Sequence, residues 1–112
     1  MSEFIKHDAD KPMFHLIDPY AHEDLAKCLT FGAKKYEIDN WKKGDIRTYI
    51  SAMYRHLNAI EKHLVDGKNL KNIIDEDSGM QHGAHLLCNS MFIHYFIRAY
   101  LDEVGTQYGA SQ

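Results

Sequence analysis

One helical stripe constrains this chain more than any other feature of its sequence. It starts after three consecutive acidic residues and ends strongly apolar. At about 100° per residue, His82, His85 and Asn89 fall on one helix face, which continues through Phe92 and Phe96. The three polar side chains therefore point toward the interior, where each must find a partner or cost roughly 1–3 kcal/mol. The stripe predicts a polar pocket at one end of a helical core, suited to a metal ion or phosphates.

Length and composition place the chain among small soluble domains. Its 112 residues predict a single domain, 1–112, whose small core would be enlarged by assembly into a dimer or tetramer. A net charge of −3 offers no basic surface for nucleic acid, and no apolar run is long enough to span a membrane. Cys28 and Cys88 lie far apart, which indicates reduced core thiols in a cytoplasmic protein. Neither has a neighbour that predicts a nucleophile.

Helix start signals and apolar spacing predict the first two helices. Asp18 followed by Pro19 is a capping carboxylate before a proline at the first helical position, and apolar residues then recur for roughly 16 to 18 residues. Asp45 caps a second helix that runs to about Leu64. No internal repeat and no convincing strand is found. The predicted fold is an all-α bundle of three main helices with short helical or extended segments.

The third helix carries the polar stripe. It is expected from about Ser78 to Val104, with Asp77 or Ser78 as its cap. Apolar residues cover most of its circumference, which predicts burial on two sides, the second by another subunit. Residues 1–17 are expected to form an ordered arm and 105–112 a frayed tail. The arm is predicted to dock on the body through Phe14, Leu16 and Ile17.

Acidic residues near the stripe supply candidate metal ligands. On the projection of the second helix, Glu61 lies about 40° from the centre of the apolar stripe, so it is expected to be partly buried, facing either a metal or a protein cation. Asp75 and Asp77 either initiate the third helix or join Glu61, His82 and His85 at a metal. Such a set would suit Mg²⁺ or Mn²⁺ holding phosphates.

Basic and aromatic residues between the first two helices form a second candidate group. Lys34 and Lys35 in the last turn of the first helix either complement its dipole or bind phosphate. Trp41, the only tryptophan, either packs in the core or stacks on a nucleobase. A lysine pair before it and another after it favour a nucleotide.

Several short blocks follow one another in a specific order. They are Lys11-Pro12, residues 31–36 with Asn40-Trp41, residues 54–57, and residues 75–79 followed by His82, His85 and Asn89. In combination, from about residue 6 to 97, they resemble the phage-type dATP/dGTP diphosphohydrolase family. That family is similar to the all-α, MazG-like nucleotide pyrophosphohydrolases.

The resemblance implies hydrolysis of a purine deoxynucleoside triphosphate to the monophosphate and pyrophosphate with Mg²⁺, or Mn²⁺, in the host cytoplasm if the chain is phage-encoded. Taken with the side-chain chemistry, it predicts catalytic roles for Glu61, Asp77, His82 and His85, and metal binding by these four with Asp75. The predicted substrate-binding residues are Lys11, Lys34, Lys35, Tyr36, Asn40, Trp41, Arg55, His56 and Asn89. The alternatives are a module that binds nucleotide without turnover and a purely structural helical protein.

Overall fold

Three long helices make up the fold. The computed structural model describes residues 3–5 and 10–105, and within them it contains no strand, only an isolated bridge between Ile74 and Gln81. The helices are α1 (Pro19–Lys35), α2 (Ile46–Val65) and α3 (His82–Glu103), with 3-10 turns at Phe14–Leu16, Asn40–Lys43 and Leu70–Asn72. The all-α prediction is confirmed. Over the same residues no helix is both long and apolar enough to cross a membrane.

Carboxylate caps fix the starts of α1 and α2. The side chain of Asp18 accepts a hydrogen bond of 3.1 Å from the backbone N–H of Tyr20. Asp45 accepts from the N–H groups of Arg47 and Thr48, at 2.8 and 3.2 Å. These bonds satisfy donors that the first helical turn leaves without partners. Both predicted starts are confirmed.

The start of α3 lies later than the sequence pattern predicts. The helix begins at His82, and neither Asp77 nor Ser78 caps it, so that prediction was wrong. Gly79 has a φ of 72°, which a right-handed helix excludes, and its N–H donates to the carbonyl of Asp75 at 2.8 Å. The acidic residues therefore belong to a tight turn in front of the helix, where they are held against its first turn.

The core lies along α3, which packs against both α1 and α2. Among the described residues, the buried ones are Cys28, Ile73, Ala84, Cys88 and Asn89. Trp41 adds an aromatic cluster at one end, with its ring stacked on Phe92 at 4.5 Å between centroids and edge-on to Tyr95 at 4.8 Å. The hydroxyl of Tyr49 donates to the Trp41 carbonyl at 2.5 Å. This packing fixes the turn between α1 and α2.

The arm does not dock as expected. Phe14, Leu16 and Ile17 are all largely exposed, so the predicted contact with the body is wrong for the single chain. The arm joins α1 at its exposed first turn, whereas α1 is buried only further along, at Cys28. Residues 106–112 of the predicted tail, together with 1–2 and 6–9 of the arm, lie outside the described residues.

Candidate active site

The helices enclose a cavity of about 640 Å³ between the second half of α1, the first half of α2 and the start of α3. A volume of this size is typical of small-molecule sites. Ten of the residues predicted for the site line it: Lys35, Tyr36, Asn40, Trp41, Arg55, His56, Asp75, Asp77, His85 and Asn89. The structure therefore brings together the polar stripe and the basic-aromatic group, which the sequence analysis treats separately.

Four of the predicted residues lie outside the cavity lining, and one of them, His82, adjoins it through its contact with His56. Lys11 and Lys34 are exposed and are not part of it. Glu61 is also exposed, so the expectation that it is partly buried was wrong. Glu61 follows the cavity-lining His56 by five positions, about 500° of helical rotation, and so points about 140° away from it. The packed face of α2 is rotated toward His56, so only one row of the predicted stripe is half-buried.

One group of side chains could hold a metal ion. His56, Asp75 and His82 are half-buried and place one ligand atom each within 4.8 Å of one another. The Nδ1 atoms of His56 and His82 are 2.8 Å apart. His56, predicted to bind substrate, thus lies with two of the predicted ligands. Two imidazoles and one carboxylate fit Mn²⁺ or another divalent transition metal better than Mg²⁺, which prefers oxygen ligands.

The electrostatics of these ligands favour metal binding. Burial, together with the neighbouring His85 and His82, lowers the pKa of His56 to about 4. The ring is therefore neutral near pH 7 and keeps a lone pair for a cation. Burial acts to raise the pKa of Asp75, but hydrogen bonds from Ser78 and the nearby imidazoles outweigh it, so the net shift is downward.

A local turn orients the Asp75 carboxylate. Its Oδ2 accepts hydrogen bonds from the Ser78 N–H at 3.0 Å and from the Ser78 hydroxyl at 2.9 Å. The same hydroxyl oxygen lies 2.7 Å from Nε2 of His85. Ser78, predicted as a possible helix cap, instead links the carboxylate to the imidazole.

His85 is held through both of its ring nitrogens. Nε2 contacts Ser78, Nδ1 lies 3.3 Å from the sulfur of Cys28, and the ring stacks on His56 at 4.6 Å. Because both nitrogens are engaged, His85 is not placed as a metal ligand. The hydrogen bond to Cys28 is the largest cause of a raised pKa at His85. The expectation that neither cysteine has a chemical partner was wrong.

Two cationic side chains, Lys35 and Arg55, line the cavity. Nζ of Lys35 is bonded to Asp77 Oδ2 at 2.5 Å, and this hydrogen bond is the main cause of a raised Lys35 pKa. Arg55 donates to the hydroxyl of Ser51 at 3.1 Å. Both cations are exposed, so their present partners can be exchanged for a ligand at little cost.

Two aromatic residues of the lining differ in their surroundings. Trp41 is packed among the aromatic rings of α3, as a core residue would be. Tyr36 follows directly after α1 and is largely exposed while lining the same cavity. Lys35 lies over its ring, 5.4 Å from the centroid. Tyr36 is therefore the better placed of the two to meet a flat ligand ring.

Comparison with known proteins identifies the family. The family profile described as "dATP/dGTP diphosphohydrolase, N-terminal" matches residues 3–103. A curated "dATP/dGTP diphosphohydrolase" of Salmonella phage PMBT28 is 33% identical over 93 residues, which cover 83% of this chain and 29% of that protein. The chain thus spans less than a third of the relative's length. No solved structure matches it. The chain belongs to the dATP/dGTP diphosphohydrolase family, in the region that the family profile describes as N-terminal.

Proposed function

We propose that this chain hydrolyses a purine deoxynucleoside triphosphate, dATP or dGTP, to the monophosphate and pyrophosphate, and that it needs a divalent metal to do so. One observation carries the proposal: the metal-competent group of His56, Asp75 and His82 adjoins a nucleotide-sized cavity that also presents Lys35 and Arg55. The name of the phage relative supports the substrate class.

The metal group has a defined part in this proposal. A divalent cation held by His56, Asp75 and His82 would supply Lewis-acid polarisation of a phosphate oxygen. The chain prepares the group in advance, because the Ser78 bonds orient the carboxylate and burial keeps His56 neutral. The hydrogen bond between the two imidazoles must open when both bind the cation.

The cations bind the polyphosphate. Lys35 exchanges the exposed carboxylate of Asp77 for a phosphate oxygen, and Arg55 gives up its bond to Ser51. Charge-assisted hydrogen bonds to phosphate are stronger than the neutral bond that Arg55 loses. Tyr36, whose ring is exposed, packs against the base. In this proposal the triphosphate lies between the cations and the acidic turn.

His85 is the group best placed to hold a proton in the site. Cys28 and the acidic turn raise its pKa, and Ser78 fixes its ring relative to the Asp75 carboxylate. We therefore assign it to proton transfer, in which Nε2 gives up its contact with Ser78 and delivers a proton toward the leaving pyrophosphate oxygen. Asp75, whose pKa is lowered, stays ionised throughout.

A homo-oligomer is the second part of the proposal. The predicted apolar stripe of α2 divides into two rows: Ile46, Met53 and Ile60 are half-buried, whereas Ile50, Leu57 and Leu64 are exposed. The exposed row repeats every seven residues, which is the spacing of a helix seam that packs on another helix. We infer that a second copy of the chain covers this row.

The decisive experiment incubates the pure protein with each deoxynucleoside and ribonucleoside triphosphate and with Mg²⁺ or Mn²⁺. The products are separated by anion exchange. We expect monophosphate and pyrophosphate from dATP or dGTP, with Mn²⁺ the more effective metal. Intact nucleotide with every metal, together with ligand-dependent thermal stabilisation, would reject turnover and support the binding module instead.

A further inference from the structure

The two cysteines of the chain meet where α1 packs on α3. Cys28 and Cys88 are both buried, both free, and both line the cavity. Cys28 Sγ lies 3.3 Å from Nδ1 of His85, and Cys88 follows His85 by three positions on the same face of α3, so the two thiols are neighbours. The sequence contains no other cysteine. Two thiols brought together from different helices, next to a cavity, form a pair whose oxidation has no part in the proposed hydrolysis.

The two thiols are not equivalent. Cys28 lies on α1, 3.3 Å from Nδ1 of His85, whereas Cys88 lies about one turn beyond His85 on α3. The hydrogen bond from Cys88 and then the contact with His85 lower the pKa of Cys28. The hydrogen bond to Cys28 and burial raise the pKa of Cys88. A thiolate is the nucleophilic form of cysteine, so Cys28 is the attacking sulfur and Cys88 its protonated neighbour.

We propose that Cys28 and Cys88 form an oxidisable dithiol, in which a peroxide first oxidises Cys28 and Cys88 then closes a disulfide that joins α1 to α3. The proposal rests on the placement of both buried thiols beside His85, between α1 and α3, and on their access to the cavity. It goes beyond nucleotide hydrolysis, in which Cys28 acts only on the pKa of His85 and neither sulfur is oxidised.

The chemistry balances with hydrogen peroxide as the oxidant. The Cys28 thiolate attacks one peroxide oxygen, the O–O bond breaks, and the departing hydroxide takes up a proton to become water, leaving a sulfenic acid. The sulfur of Cys88 then attacks the Cys28 sulfur, the S–O bond breaks, and a second water leaves with the Cys88 proton. Two thiols are oxidised to a disulfide, and one peroxide is reduced to two waters.

The disulfide would change the wall of the cavity. Closing it draws the Cys28 sulfur toward Cys88 and away from His85, so the imidazole loses its contact at Nδ1. It also ties residue 28 to residue 88 and cross-links the packed pair α1 and α3. We therefore expect the oxidised protein to unfold at a higher temperature than the reduced protein, because the cross-link restricts the unfolded chain.

The test uses the full chain, hydrogen peroxide and a chelator, and it needs no nucleotide. Its outcome is therefore independent of hydrolysis. In wild type, intact-mass spectrometry should show the loss of two hydrogen atoms, thiol titration under denaturing conditions should find no free thiol, and dithiothreitol should restore both. Non-reducing electrophoresis should show a single chain.

Two matched variants test the order of events. In Cys88→Ser, a 1,3-dicarbonyl probe should trap a sulfenic acid on Cys28. In Cys28→Ser, the remaining Cys88 should react with peroxide at least about tenfold more slowly than Cys28 does in Cys88→Ser. The proposal is overturned if oxidised wild type keeps two titratable thiols, if the disulfide joins two chains, or if the variants react at equal rates. The wild-type measurements decide the matter even where a variant fails to fold.

Discussion

The Nδ1 atoms of His56 and His82 lie 2.8 Å apart, although one residue belongs to α2 and the other to the first turn of α3. With Asp75 they form a group that can surround a cation. We predict that Mn²⁺ raises the melting temperature of wild type. His56→Gln should weaken Mn²⁺ binding by at least about tenfold, since even supporting partners of a ligand contribute that much.

Glu61→Gln is the matched control for this measurement, because Glu61 shares α2 with His56 but is exposed. Calorimetric titration with Mn²⁺ should find it indistinguishable from wild type. Equal losses in both variants would contradict the ligand set.

Asp75→Asn should reduce turnover on the order of 10²–10⁴-fold, because the amide keeps the shape of the side chain but removes the charge that faces the imidazoles. Steady-state rates of pyrophosphate release measure this. The adjacent Glu76 is exposed and lies outside the cavity lining, so Glu76→Gln should turn over at the wild-type rate. A full rate in Asp75→Asn would remove the carboxylate from the mechanism.

Adjacent lysines offer a sharp test of phosphate binding. Lys35→Met should raise KM by roughly tenfold or more, which corresponds to one lost hydrogen bond between charged groups. Lys34→Met should leave KM unchanged, because Lys34 is exposed and outside the lining. Both variants remove one positive charge from the end of α1. A similar KM in the two would show that only net charge matters.

Alanine variants of Tyr36 and Trp41 should have different effects on nucleotide binding and on stability. Trp41→Ala removes a ring stacked on Phe92 and should lower the free energy of unfolding on the order of 3 kcal/mol. Tyr36→Ala removes an exposed ring, so its unfolding free energy should hardly change while KM for the nucleotide rises. Urea unfolding and steady-state kinetics on the same samples decide this. The reverse pattern would assign base stacking to Trp41.

The exposed row of α2 predicts assembly. Wild type should have the mass of an oligomer in light scattering after gel filtration, and Leu57→Glu should shift it toward the single chain, because the charge enters the proposed seam. Asn58→Glu introduces the same charge at the next, also exposed, position and should keep the oligomer. A monomeric wild type would contradict the seam.

The sequence predicts most of the fold because helix starts depend on local chemistry. The side chains of Asp18 and Asp45 reach backbone donors two or three residues away, so both caps can be read directly. The start of α3 could not be read from the sequence in the same way, because the acidic residues near it are equally suited to a turn. The backbone conformation of Gly79 decides between these outcomes.

The site was predicted in part, and the error at Glu61 has a geometric cause. The most apolar stripe of α2 is not the face that lines the cavity. Tyr49, Ala52 and His56 line it, and with Ala59 and His63 they repeat at steps of three and four residues. That second, more polar stripe was the available signal for His56. The contact between Cys28 and His85, 57 positions apart, left no local trace.

The Asp75–Ser78 turn divides the assembly of the site into two stages. Its hydrogen bonds join residues only three positions apart, so the carboxylate can acquire its orientation without any helix docking. The imidazole of His56 and the thiol of Cys28 arrive only when α2 and α1 reach α3. A cation that binds the Asp75 carboxylate early would therefore act as a template for folding, because it would then also bind the distant imidazole of His56. Protein kept metal-free by a chelator should then refold more slowly than metal-loaded protein.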